Sequence, residues 1–149
     1  MPDDKLWEAL RVKQEFAEKY GKNIYMVTQM CLITENLPPW IEKIRKNGIT
    51  LPIMVGVPGV ISPKGLVKFL LEYGTENIER ILANHPELRE AYDIVKMGKA
   101  IMTNEVFDAG KLLEEIVSID GDNNFSGIHF TTFNQPEKTL QLCKNLINE

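Results

Sequence analysis

The sequence predicts an α/β fold built on a parallel sheet. Residues 24–29, Ile-Tyr-Met-Val-Thr-Gln, form a short apolar run that ends in two polar side chains. A helix-length segment follows, and a second apolar run at residues 51–57 ends around Gly56. That second run is apolar at nearly every position, as expected of a strand buried on both faces of a parallel sheet. Strand, helix and strand in this order make one βαβ unit. Polar residues at the carboxyl end of a strand stand where such folds place ligands.

The elements follow in order. Residues 4–20 suit an amphipathic helix, with Leu6, Leu10, Phe16, Ala17 and Tyr20 roughly on one side, Asp3 or Asp4 as cap and Gly21 as stop. The first strand is 24–29. Thr34-Glu35-Asn36 and Pro38-Pro39 open the next helix, because proline is tolerated in the first turn. Its apolar positions are Trp40, Ile41 and Ile44, and Gly48 ends it. The second strand is 51–57. Ser62-Pro63 is a cap followed by proline at the first helical position, and Leu66, Phe69, Leu70 and Tyr73 mark the helix up to Gly74. Residues 76–118 are mostly helical, with a break at Asn84-His85-Pro86 and a weaker one at Thr103-Asn104. Asp120 to Asn124 is a turn cluster. Phe125 to Phe133 is the third strand, and Asn134-Gln135-Pro136 leads into a last helix bearing Leu140, Cys143, Leu146 and Ile147.

The three strands are expected to be parallel neighbours, with Gln29, Gly56 and Asn134 at the same end. Three strands are too few to close a barrel, which takes about eight. The faces that would line one need another cover. Met26, Thr28, Met54 and His129 are expected to point inward, against a second chain or helices from 75–118.

The chain has 149 residues, enough for one domain, 1–149, with a core of its own. It is 44% hydrophobic and 26% charged, an ordinary balance for a soluble globular protein. A net charge of −4 gives no field favouring nucleic acid or an anionic membrane. The first residues are acidic and polar, unlike a signal peptide, and no apolar run spans a bilayer, so a cytoplasmic protein is expected. Cys31 and Cys143 make no disulfide framework, and the two histidines, His85 and His129, have no metal-ligand spacing.

Three segments resemble the C-terminal half of the methylenetetrahydrofolate reductase barrel. Val27-Thr28-Gln29 looks like that family's strand-end threonine and glutamine. Asn47-Gly48-Ile49 with Pro52-Ile53-Met54-Val55-Gly56 resembles its next strand, at the same distance from the glutamine. Gly127-Ile128-His129-Phe130-Thr131-Thr132-Phe133-Asn134 resembles its last barrel strand and is the most specific match. The similarity covers residues 5–74 and 125–149; the helical middle fits poorly. The sequence departs from the pattern at Met30-Cys31-Leu32, where the family has an aromatic-rich run, at Val55 in place of a proline, and at Gln135 in place of an arginine.

The resemblance implies a partial TIM-type (β/α)8 barrel: about three parallel strands with covering helices. It implies the folate-binding portion of a flavin-dependent reductase that converts methylenetetrahydrofolate to methyltetrahydrofolate. Reduced NADH or NADPH would pass hydride to FAD and then to the folate. The family's flavin site lies mainly on strands with no counterpart here, so FAD is not expected to be held by this chain alone. Gln29, Phe69 and Gln135 are the implied substrate-binding residues: Gln29 for the amide edge of a pterin, Phe69 for stacking, Gln135 near the folate tail. Each also has a plainer reading, as a loop cap, a core residue and a turn residue respectively. The partners expected are a folate and either a second copy of the chain or a complementary flavin-binding chain. The rival function is a non-catalytic folate-binding or assembly module that completes its barrel with a partner or a second copy.

Overall fold

A computed structural model describes residues 3–72, 78–97, 106–107, 109–119 and 125–147. Among these residues lie seven α-helices and three strands. They run α1 (Asp3–Tyr20), β1 (Met26–Met30), a 3-10 turn (Thr34–Asn36), α2 (Leu37–Lys46), β2 (Ile53–Pro58), α3 (Pro63–Glu72), α4 (Ile78–Asn84), α5 (Glu87–Lys96), α6 (Ala109–Ile119), β3 (Gly127–Thr131) and α7 (Pro136–Ile147). The expected break at Thr103-Asn104, the turn cluster 120–124 and the stop at Gly74 lie outside the described residues.

The strands form one open sheet in the order β1-β2-β3. β1 and β2 are parallel, with Met26 opposite Ile53 and Val27 opposite Met54. The Ser126 amide donates to the Ile53 carbonyl, and the Gly59 amide donates to the Thr131 carbonyl. Residue numbers rise together along both chains, so β3 also runs parallel to β2.

Two compact units divide the chain: Met1–Gly56 with Glu115–His129, and Val57–Glu114 with Phe130–Glu149. In the first unit, α2 turns its apolar side inward through Leu37, Ile41 and Ile44. Ile53 and Val55 of β2 are fully buried. The chain leaves α2 through Gly48 at φ +76°, a left-handed conformation that glycine adopts without strain. Two side chains fix the segment leading to β2. The Arg45 guanidinium donates to the carbonyls of Ile49 at 2.9 Å and Leu51 at 3.1 Å. Gln14 of α1 donates to the Gly48 carbonyl, and its Oε1 accepts from the Thr50 amide at 2.6 Å.

In the second unit the Ser62 hydroxyl caps α3 by accepting from the Gly65 amide at 3.1 Å. α3 packs on α5. Leu66, Val67, Leu82 and Leu88 are almost wholly buried there. Helices α4 and α5 are parted at His85-Pro86, as the sequence predicts.

The strands are shorter than the sequence suggests. The first ladder bond of β1 runs from the Met26 amide to the Pro52 carbonyl, so Ile24 and Tyr25 lie ahead of the strand. β3 ends at Thr131, because Phe133 and Asn134 take positive φ values of 48° and 60° that no strand can hold. The facing of β1 also differs from expectation. Val27, not Met26, stands opposite Met54, so Val27 shares its face of the sheet. A Cβ on Gly127 would touch the Met54 side chain, which puts position 127 on that face too, and His129 with it. Val27 and His129 are exposed there, and Met54 is half-buried.

Candidate functional site

The carboxyl end of β1 is irregular. The β1–β2 register runs Val27 to Met54 and then Met30 to Gly56, so Thr28-Gln29 carries one extra residue. This is a β-bulge, a device that re-aims side chains and is common beside functional sites. Two features hold it. The Thr28 hydroxyl accepts from the Gly56 amide at 2.9 Å and donates to the Gln29 carbonyl at 2.7 Å. The hydroxyl thus satisfies a ladder donor that the bulge would leave orphaned. Gly56 allows the close approach: a Cβ at that position would lie 2.7 Å from the Thr28 carbonyl oxygen. Beyond the bulge the Cys31 amide returns to the ladder by donating to the Gly56 carbonyl at 2.8 Å.

Gln29 is exposed. Its carbonyl is engaged by Thr28, while its side-chain amide makes no hydrogen bond among the described residues. The bulge therefore presents an amide oxygen and two N–H donors to solvent at the carboxyl end of a parallel strand. Cys31 lies just past it, and burial raises its thiol pKa above the ordinary value. The thiol is accordingly neutral at pH 7 and is no ready nucleophile.

The other two predicted residues lie in the second unit. Phe69 meets the ring of Phe133 edge-on, with centroids 5.2 Å apart. Gln135 donates through Nε2 to the Val60 carbonyl at 3.2 Å, which takes one of its two amide N–H groups. The Thr139 hydroxyl accepts from the Val60 amide at 3.3 Å. The Gly59 backbone passes so close that a Cβ there would lie 2.6 Å from the Thr139 hydroxyl oxygen. The end of β2 at Pro58 and Gly59 is thus a close backbone crossing. Thr139 is a buried polar residue that the sequence reading did not single out. Its position three residues after Pro136, on the inner side of a helix start, was the available signal.

An open groove of about 490 Å³ lies at the other end of the strands in the first unit, lined by Gln14, Lys22, Tyr25, Thr50, Met54 and Ser126 among others. It stands at the amino ends, away from the bulge, and Gln14 is already engaged with Gly48 and Thr50. The carboxyl end, with its unengaged amide, is the better candidate. Among the described residues no group of three metal-ligating side chains forms, and no helix is long and apolar enough to cross a membrane.

No protein-family model matches the chain.

Proposed function

We propose that the chain binds the pterin of a reduced folate at the carboxyl end of its sheet. It would do so as the folate-facing portion of a flavin-dependent methylenetetrahydrofolate reductase with a partial (β/α)8 barrel. One observation carries this reading: the exposed, unengaged amide of Gln29 on a bulge held by Thr28 and Gly56. The amide edge of a pterin offers a donor and an acceptor side by side, and a glutamine amide is complementary to it. A bulge fixed on both sides holds the main chain of Gln29, and the side chain extends to the ring from there. The three sequence segments that resemble the reductase family support the same assignment.

The parts of the chain have distinct tasks on this reading. Gln29 orients the ring, and the backbone around Gly56 sets where the ring can lie. A flavin dinucleotide fits the exposed face of the first unit poorly. Val27, Met54 and His129 include no permanent positive charge for its pyrophosphate. No catalytic step is therefore assigned to this chain.

A second reading, a non-catalytic module that completes its sheet with a partner or a second copy, draws on the exposure of Tyr25 (60%) and Val27 (45%). Neither reading has the chain alone hold flavin, so a colourless purified protein is expected of both, and a yellow one would contradict the poor fit of flavin to the exposed face. The binding claim is tested by calorimetric titration of a stable folate analogue into the protein and into Gln29→Ala. Losing the paired amide is expected to cost about 1–3 kcal/mol, or roughly one to two decades in Kd, with an unchanged circular dichroism spectrum. Equal affinity of the two proteins would remove Gln29 from the site.

A further inference from the structure

Asn47-Gly48 is the one asparagine-glycine pair in the chain. Glycine has no side chain, so the main-chain nitrogen that follows the asparagine is unhindered. In such a pair that nitrogen can attack the side-chain amide carbon. A bond forms from the Gly48 nitrogen to Asn47 Cγ, and the bond from Cγ to Nδ2 breaks. The side-chain nitrogen leaves as ammonia, taking the proton that the Gly48 nitrogen gives up. Water then opens the five-membered succinimide to aspartate or isoaspartate. Solvent reaches the pair, because Gly48 is exposed and Asn47 is half-buried.

The fold holds the reacting groups apart. Asn47 is the residue that closes α2, with φ −84° and ψ 10°. At that ψ the Gly48 nitrogen is nearly eclipsed with the Asn47 nitrogen and turned away from Cβ, so the ring cannot close until ψ rotates. The Gly48 amide donates to the Arg45 carbonyl at 2.9 Å and the Ile49 amide to the Ile44 carbonyl at 3.3 Å, the paired bonds of a Schellman turn. Asn47 Nδ2, the leaving nitrogen, donates to the Lys43 carbonyl at 2.8 Å. Gln14 of α1 spans the other side of the turn. Its Nε2 donates to the Gly48 carbonyl at 3.2 Å, and its Oε1 accepts from the Thr50 amide at 2.6 Å. The first restraints belong to α2 itself, and Gln14 alone among these ties the turn to a different helix. We propose that Asn47-Gly48 is a latent deamidation site that the docked α1 keeps closed through Gln14. When α1 comes away from the turn, the Asn47 ψ is released, and the reaction proceeds in proportion to the population of that open form. The product does not close as before. Aspartate sets a negative charge beside the carbonyls at the end of α2, and isoaspartate lengthens the main chain just ahead of the Gly48 turn. A transient opening at the passage into β2 thus becomes a permanent one.

Peptide mass spectrometry after incubation at mildly alkaline pH, with digestion at low pH, follows the conversion at position 47, and no folate is needed. The folded wild-type chain is expected to deamidate at least about tenfold more slowly than the same chain unfolded in urea. Gln14→Ala, shown to be folded by circular dichroism, should deamidate about tenfold faster than the folded wild type, because both of its hydrogen bonds to the segment are lost. Gln14→Glu, which keeps the acceptor for Thr50 and loses the donor to Gly48, serves the same purpose should Gln14→Ala not fold. Val67→Ala, which opens a cavity in the second unit, should lower the denaturation midpoint and leave the rate at position 47 unchanged. Equal rates in the folded and unfolded wild type overturn the proposal. So does a folded Gln14 variant that deamidates no faster than the wild type. A Val67→Ala chain accelerated as much as the Gln14 variants also overturns it, since the protection would then follow global stability and not the docking of α1.

Discussion

Gly56 and Thr28 decide the local geometry of the candidate site. The Thr28 hydroxyl does the work of a missing ladder carbonyl, and Gly56 makes room for the bulged backbone. A methyl group at position 56 would press on main-chain atoms, which cannot move aside as a flexible side-chain end can. Gly56→Ala is expected to destabilise the fold by about 1–3 kcal/mol, measured by urea denaturation. It should also weaken folate binding beyond what the stability loss explains, because the amide of Gln29 rides on the same bulge. An alanine variant with wild-type stability and affinity would show that the bulge has no such role. Thr28 and Gln29 stand out in the sequence as polar residues ending an apolar run. The bulge between them does not, because an extra residue in one strand shows only against its partner.

At the scale of the element, the helices follow their punctuation. Gly21 and Gly48 take positive φ after α1 and α2, Ser62 caps α3, and the chain breaks at His85-Pro86. Each signal acts within a few residues of itself, so sequence alone suffices. The facing of β1 was beyond reach for the opposite reason. Met26-Val27-Thr28-Gln29-Met30 has no clean alternation of apolar and polar residues, and only its pairing with β2 shows that Val27 shares the face of Met54. The passage from α2 to β2 depends on a contact at longer reach. Arg45 donates to two carbonyls, those of Ile49 and Leu51. Arg45→Ala leaves both acceptors without that partner and is expected to lower stability by about 1–3 kcal/mol. Lys46→Ala, which removes only the exposed pair with Glu42, should leave the denaturation midpoint in place. Equal effects of the two substitutions would show that Arg45 does not hold this segment.

At the scale of the whole molecule, three parallel strands form an open sheet, as the βαβ pattern and the buried second strand predict. The residues implied by family resemblance are distributed over the chain. Gln29 lies in the first compact unit, and Phe69 and Gln135 lie in the second. The edge-on contact of Phe69 with Phe133 depends on the left-handed turn at Phe133-Asn134, a conformation that no pattern of apolar residues announces. The amide of Gln29 is the element of the candidate site most open to direct observation. Side-chain amide resonances of isotope-labelled protein, with the Gln29 pair assigned by its loss in Gln29→Ala, report on it during titration with a stable folate analogue. The Gln29 amide resonances are predicted to shift along a saturable curve, while those of Asn84, whose amide is held by the Arg80 carbonyl, stay in place. A Gln29 amide unmoved while other resonances saturate, or a spectrum unchanged up to analogue concentrations on the order of 1 mM, would contradict the assignment.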